Sequence, residues 1–125
     1  MGRIRQNIDI KDSKFWTLFD SGAKNTYIIS KRAGRLHKQE LKGTRMVALG
    51  GKDHSLTKWC LLEAKIEGKS IETDAYIIDS IGKDEDGNEI EILFGALAMQ
   101  KWGIRLHLEE EKIDMSHYPI EFVEF

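Results

Sequence analysis

Apolar and polar residues alternate with period two along much of the chain, the spacing of strands with one buried face. In Arg3–Ile10, Ile4, Ile8 and Ile10 share a face. Lys11-Asp12-Ser13-Lys14 supplies turn chemistry, and residues 15–19 form a nearly continuous apolar run, as in a buried strand. Asp20-Ser21-Gly22 breaks that run. Thr26-Tyr27-Ile28-Ile29 is β-branched and aromatic and predicts another strand. Residues 30–43 are polar and basic and predict an irregular excursion containing at most a helical turn. Segments 44–49 and 56–66 are apolar and flank Gly50-Gly51-Lys52-Asp53-His54-Ser55, which predicts a hairpin with a glycine-rich tip. Glu67-Gly68-Lys69 is a second tight turn leading into 71–78, and 89–94 predicts a strand ending at Gly95. The pattern changes once. Ala96–Trp102 consists of helix formers and stops at Gly103, the residue type that best closes a helix. Alternation resumes at 104–108, a short strand is expected at 113–115, and Ile120, Phe122 and Phe125 make the C-terminal end apolar. The expectation is an all-β fold with one short helix near its C-terminal end.

At 125 residues the chain suits one core, so a single domain spanning 1–125 is expected. Hydrophobic residues at 41% and charged residues at 32% exclude a disordered composition. No apolar run approaches the roughly 20 residues that span a bilayer, so no membrane partner is expected. The opening Met1-Gly2-Arg3-Ile4-Arg5-Gln6 has no apolar stretch behind its charges, and the only cysteine is Cys60. A reducing, cytoplasmic setting is therefore expected. The net charge of −2 hides an asymmetry: residues 1–62 hold 13 Lys/Arg against 5 Asp/Glu, and residues 63–125 hold 6 against 16. These charges can complement one another within a chain or across a dimer. The basic stretch 24–45 lacks interleaved aromatics for base stacking, so it reads as a solvated face and no nucleic-acid partner is expected.

Most candidate chemistry falls away on spacing. His37, His54, His107 and His117 are widely separated. Asp84-Glu85-Asp86-Gly87-Asn88 has its glycine at the wrong place for a calcium loop and reads as a β-turn. Cys60 lies in an apolar strand with no cationic sequence neighbour to activate it. No metal or cofactor is expected. What remains is Asp20-Ser21-Gly22-Ala23, directly behind a buried strand. A carboxylate there carries a heavy desolvation cost unless it is held. Ser21 offers a hydroxyl, and Gly22 allows close approach of a backbone N–H.

Asp20-Ser21-Gly22-Ala23 resembles the Asp-Thr/Ser-Gly-Ala active-site motif of aspartic proteases. Leu93-Phe94-Gly95 is similar to that family's second signature, two apolar residues and a glycine before a short helix. Gly50-Gly51 falls between the two, where the family places its flap. Element order and length resemble the single-domain, retropepsin-like branch over roughly residues 3–115. The resemblance implies a small, closed-barrel-like all-β fold and an aspartic endopeptidase. Its dyad would be made from Asp20 of two chains, with Ser21, Gly22 and Ala23 as the supporting loop and Gly50 and Gly51 as the flap tip. A homodimer acting on peptide or protein substrates is implied, with Ile4–Ile10 and the apolar C-terminus as strands needing a cover. Two departures stand out: Ser21 replaces the commoner threonine, and Ala96 occupies a place where retroviral members carry an arginine used in dimer contacts. The alternative is a catalytically inactive domain of this fold serving as a dimerisation or peptide-binding module.

Overall fold

The computed structural model describes residues 2–120. Its strands are β1 (Arg3–Ile10), β2 (Ser13–Asp20), β3 (Tyr27–Ile29), β4 (Lys38–Leu49), β5 (Lys52–Ile66), β6 (Lys69–Ile78), β7 (Ile92–Phe94), β8 (Arg105–His107) and β9 (Lys112–Asp114). The helix α1 (Ala96–Trp102) sits between β7 and β8, and a 3-10 turn covers Ser30–Arg32. Seven strands form one sheet in the order β1-β2-β7-β3-β6-β5-β4, while β8 and β9 form a separate hairpin. Pairing of Asp9 with Lys65 joins β1 to β5, so the sheet curls onto itself and leaves β4 outside the ring.

Side chains of β2 and β7 explain why these strands sit centrally. The two run parallel, with Leu18 opposite Leu93 and Phe19 opposite Phe94. Both strands are buried on both faces at this point, which is why their sequences read as continuous apolar runs. Phe19 and Phe94 enter the main core, with ring centroids 5.1 Å apart. Leu18 and Leu93 enter a second cluster with Tyr27, Ile29, Leu56, Ile78 and Ile90. Burying each such side chain contributes about 1.5–3 kcal/mol. Val47, Leu49 and Ala23 pack on the second cluster.

Several boundaries differ from the sequence pattern, each for a physical reason. Residues 38–43 belong to β4: Lys38, Gln39 and Glu40 pair with Cys60, Trp59 and Lys58. Their side chains are almost all exposed on an edge strand, so hydrophobic alternation has nothing to report. The hairpin turn is only Gly50-Gly51, and β5 starts at Lys52 with His54 buried inside it. Strand β7 is shorter than 89–94: the Ile90 N–H turns away to the Gly82 carbonyl, while the Glu91 N–H still bonds the Trp16 carbonyl of β2.

The expected helix has the expected bounds and ends on Gly103 at φ 66°. A Cβ there would stand 2.7 Å from the His117 carbonyl carbon, so both conformation and contact demand glycine. The turn at 84–88 is built on Asp84, whose Oδ1 accepts the N–H groups of Asp86 and Asn88 at 2.9 Å each. The apolar face of β1 needs no outside cover, since Ile4, Ile8 and Ile10 lie in the chain's own core. Ile120 is fully exposed, and the apolar expectation at Phe122 and Phe125 lies outside the described residues. Charge asymmetry resolves partly within the chain: Arg5 meets Asp84 at 3.2 Å, Lys31 meets Glu89 at 2.5 Å, and Arg32 meets Glu91 at 2.8 Å.

Candidate active site

Asp20 is the last residue of β2, with its side chain only 8% exposed. Each carboxylate oxygen has a partner, a hydrogen-bond donor at Oδ1 and a cation at Oδ2. The Gly22 N–H bonds Oδ1 at 2.8 Å, and the Arg3 Nε faces Oδ2 at 3.3 Å. The first follows from local sequence, because an Asp that opens a turn can receive the N–H two residues on. The second follows from register: antiparallel pairing of β1 with β2 sets Arg3 opposite Asp20. Nothing in the sequence pattern signals this contact, because a cross-strand neighbour is visible only once the strands pair.

Ser21 is tied to the start of the chain. Its N–H donates to the Gly2 carbonyl at 3.0 Å, and its hydroxyl oxygen accepts the Gly2 N–H at 2.9 Å. Ala23 closes the turn by donating its N–H to the Asp20 carbonyl at 3.1 Å.

The second signature docks directly on this loop. Ala96 and Leu97, the first residues of α1, donate their N–H groups to the carbonyls of Ala23 and Lys24 at 2.7 and 3.1 Å. The Gly95 N–H donates to the Thr26 hydroxyl at 3.1 Å. Gly95 permits this approach because a Cβ would fall 2.6 Å from the Asn25 carbonyl carbon and 2.9 Å from the Lys24 carbonyl carbon. Leu93 and Phe94 hold the strand beneath, one side chain in each apolar cluster. Thus Asp20, Ser21, Gly22, Ala23, Leu93, Phe94 and Gly95 come together, and Thr26 joins them unannounced by the sequence pattern.

Gly50 and Gly51 stand apart at the tip of the β4–β5 hairpin, at φ 60° and 80°, where added Cβ atoms would meet nothing within 4 Å. Deeper in that hairpin, the buried His54 Nδ1 lies 2.6 Å from Asp79 Oδ1. The His54 contact holds the Asp79 carboxyl below its ordinary range. Cys60 is fully buried, and burial pushes its thiol up to about 11, which keeps it a neutral apolar side chain. Among the described residues no group of three or more His, Cys, Asp or Glu side chains is placed to hold a metal. No helix among them is long and apolar enough to cross a membrane.

The fold is retropepsin-like. The chain is similar to the retroviral protease-like domain of Ddi1 from Leishmania major, with TM-score 0.65 and 15% identity over 93% of this chain and 90% of that one. It is also similar to the EIAV protease solved with the inhibitor HBY-793, with TM-score 0.62 and 18% identity over 86% and 94% of the two chains. A retropepsin-like aspartic protease from Rickettsia conorii aligns with TM-score 0.54 and 17% identity over 84% of each chain. No protein-family model matches the sequence, and no curated protein does.

Proposed function

We propose that this chain is an aspartic endopeptidase whose catalytic dyad is Asp20 from each of two copies. The observation that carries the reading is a buried carboxylate at the end of β2, in a loop clamped by the Gly95 turn, within a retropepsin-like fold. Peptide hydrolysis by carboxyl groups needs one carboxylate to take a proton from water and one carboxylic acid to donate to the scissile carbonyl. Aspartic proteases in general meet this need with two close carboxyl groups that share a proton, because both cannot ionise at such short range. One Asp20 loop per chain then requires a two-fold related pair. The attacking water would sit on that axis, between the two carboxyl groups. The tetrahedral adduct would collapse as the amine leaves with a proton from the dyad. The β4–β5 hairpin, with Gly50-Gly51 at its tip, would serve as the flap that covers an extended peptide and excludes bulk water.

A second reading has one specific observation in its favour. Arg3 occupies Oδ2 of Asp20 within the single chain. A non-catalytic dimerisation or peptide-binding domain could keep that contact, whereas a working dyad must accommodate it. The decisive experiment is hydrolysis of an unfolded protein across acidic pH by the purified chain and by Asp20→Asn, each with and without a pepstatin-like inhibitor. We expect inhibitor-sensitive cleavage by the parent protein and background cleavage by the variant. Asn retains an oxygen for the Gly22 N–H, so folding should survive. Retained hydrolysis by Asp20→Asn would rule out the peptidase reading. Sedimentation equilibrium tests the assembly: full activity from a strictly monomeric protein would exclude the shared dyad.

A further inference from the structure

Beside the Asp20 loop lies a pocket of about 270 Å³ that the catalytic reading does not use. Asn25, Leu41 and Arg45 of β4, Trp59 of β5 and Tyr76 of β6 are among the residues that line it. Its charged lining residues are Arg45 and Asp74. Arg3, Arg5 and Arg32 each face a carboxylate. Arg45 instead lies over the Tyr76 ring, 5.7 Å from its centroid, and donates from Nη1 to the Tyr76 phenol oxygen. No carboxylate forms an ion pair with it among the described residues. A guanidinium carries five N–H donors, so the fork is held in place with most of its donors uncommitted. The Tyr76 phenol accepts that bond and keeps its own hydrogen to donate.

Two features make the placement a built one. The β4–β5 register shifts between Glu40 and Arg45, and such bulges re-aim side chains. Behind the pocket Tyr76 packs on Tyr27, with ring centroids 5.8 Å apart. Burial raises the Tyr27 phenol above its ordinary value, so this support stays neutral; a hydrogen bond with Asn25 opposes that rise without cancelling it.

We propose that Arg45, positioned by Tyr76, forms a subsite that selects an acidic side chain, Asp or Glu, in the bound peptide. This rests on the reading of the Asp20 loop as the place where an extended peptide lies. Asn25 belongs to that loop, so a peptide centred on Asp20 passes the pocket within a few residues, each advancing about 3.3 Å. A carboxylate can take a forked pair of bonds from a guanidinium, which an amide of the same shape cannot match in strength. Asp74 also borders the pocket and opposes the selected charge, so the preference is moderated by this residue.

The test is a peptide library with Glu, Gln or Lys fixed at each position in turn, presented to the parent protein, Arg45→Gln, Arg45→Lys, Arg45→Glu and Asp74→Asn. Cleavage is read with the parent Asp20, and binding with Asp20→Asn in each background. At one position we expect Glu to be favoured over Gln by about tenfold. Arg45→Gln should abolish that preference, Arg45→Lys retain part of it, Arg45→Glu transfer it to Lys, and Asp74→Asn enlarge it. An absence of cleavage alongside Arg45-dependent, Glu-selective binding would overturn the peptidase reading while the subsite stands. Equal handling of Glu and Gln in both cleavage and binding, or a Glu preference untouched in Arg45→Gln, overturns the subsite. So does an absence of binding to every peptide.

Discussion

Replacing Gly95 with alanine adds one methyl group at the seam between the two signatures. The backbone at Gly95, φ −93°, suits alanine, so the cost comes from contact alone. The new Cβ would lie 2.6 Å from the Asn25 carbonyl carbon, 2.9 Å from that of Lys24, and closer still to the Asn25 oxygen. These are backbone atoms, which no rotamer change can move. Relief requires the Asp20 loop and the start of α1 to separate. Overpacking of this kind costs about 1–3 kcal/mol. Separation also weakens the bonds from Gly95, Ala96 and Leu97 to Thr26, Ala23 and Lys24, each contributing about 1 kcal/mol. Not all three need break, so the expected loss is about 2–5 kcal/mol. That is a large share of the roughly 5–15 kcal/mol that stabilises a typical domain. With a urea slope of about 2 kcal/mol per molar, the unfolding midpoint should fall by about 1–2.5 M. Gly34→Ala is the control, since a Cβ there meets nothing within 4 Å and the backbone is not left-handed. It should be neutral or stabilising by up to about 1 kcal/mol. If Gly95→Ala shifts the midpoint no more than this control, the close seam does not hold the loop, and the packing argument fails.

Gly51→Val places a β-branched residue at φ 80°, and Gly68→Val does the same at an equal angle in another turn. Both should lose about 1–3 kcal/mol, but only Gly51→Val should lower turnover per folded molecule; equal losses in both quantities would leave Gly50-Gly51 as a plain turn. Asp114 accepts hydrogen bonds from the Ser116 hydroxyl and N–H and from His107, which hold its carboxyl well below the usual range. A depressed folded-state value means this stability is present above about pH 4 and is lost as pH falls further. Asp114→Asn should therefore be less stable than the parent at pH 6, with a gap that narrows toward pH 2. A constant gap in urea unfolding across that range would show that the carboxylate's charge is not involved.

The local pieces of the site are legible in the sequence. An apolar run that stops at Asp20-Ser21-Gly22 marks a strand end with a turn-forming carboxylate, because burial and turn chemistry act over a few neighbouring residues. Helix formers between Gly95 and Gly103 mark α1 for the same reason. Tertiary structure decided what those pieces meet. Parallel pairing of β2 with β7 is what lays the Gly95 turn on the Asp20 loop, though more than seventy residues separate them. Register in β1–β2 puts Arg3 on the carboxylate, and the β4 bulge brings Arg45 to Tyr76. The polar start of β4 escaped the pattern because an exposed edge strand is specified by backbone hydrogen bonds to its neighbour. Hydrophobic period reports which face of a segment is buried. Pairing partner and register emerge only when distant strands compete for the same backbone donors and the same core volume.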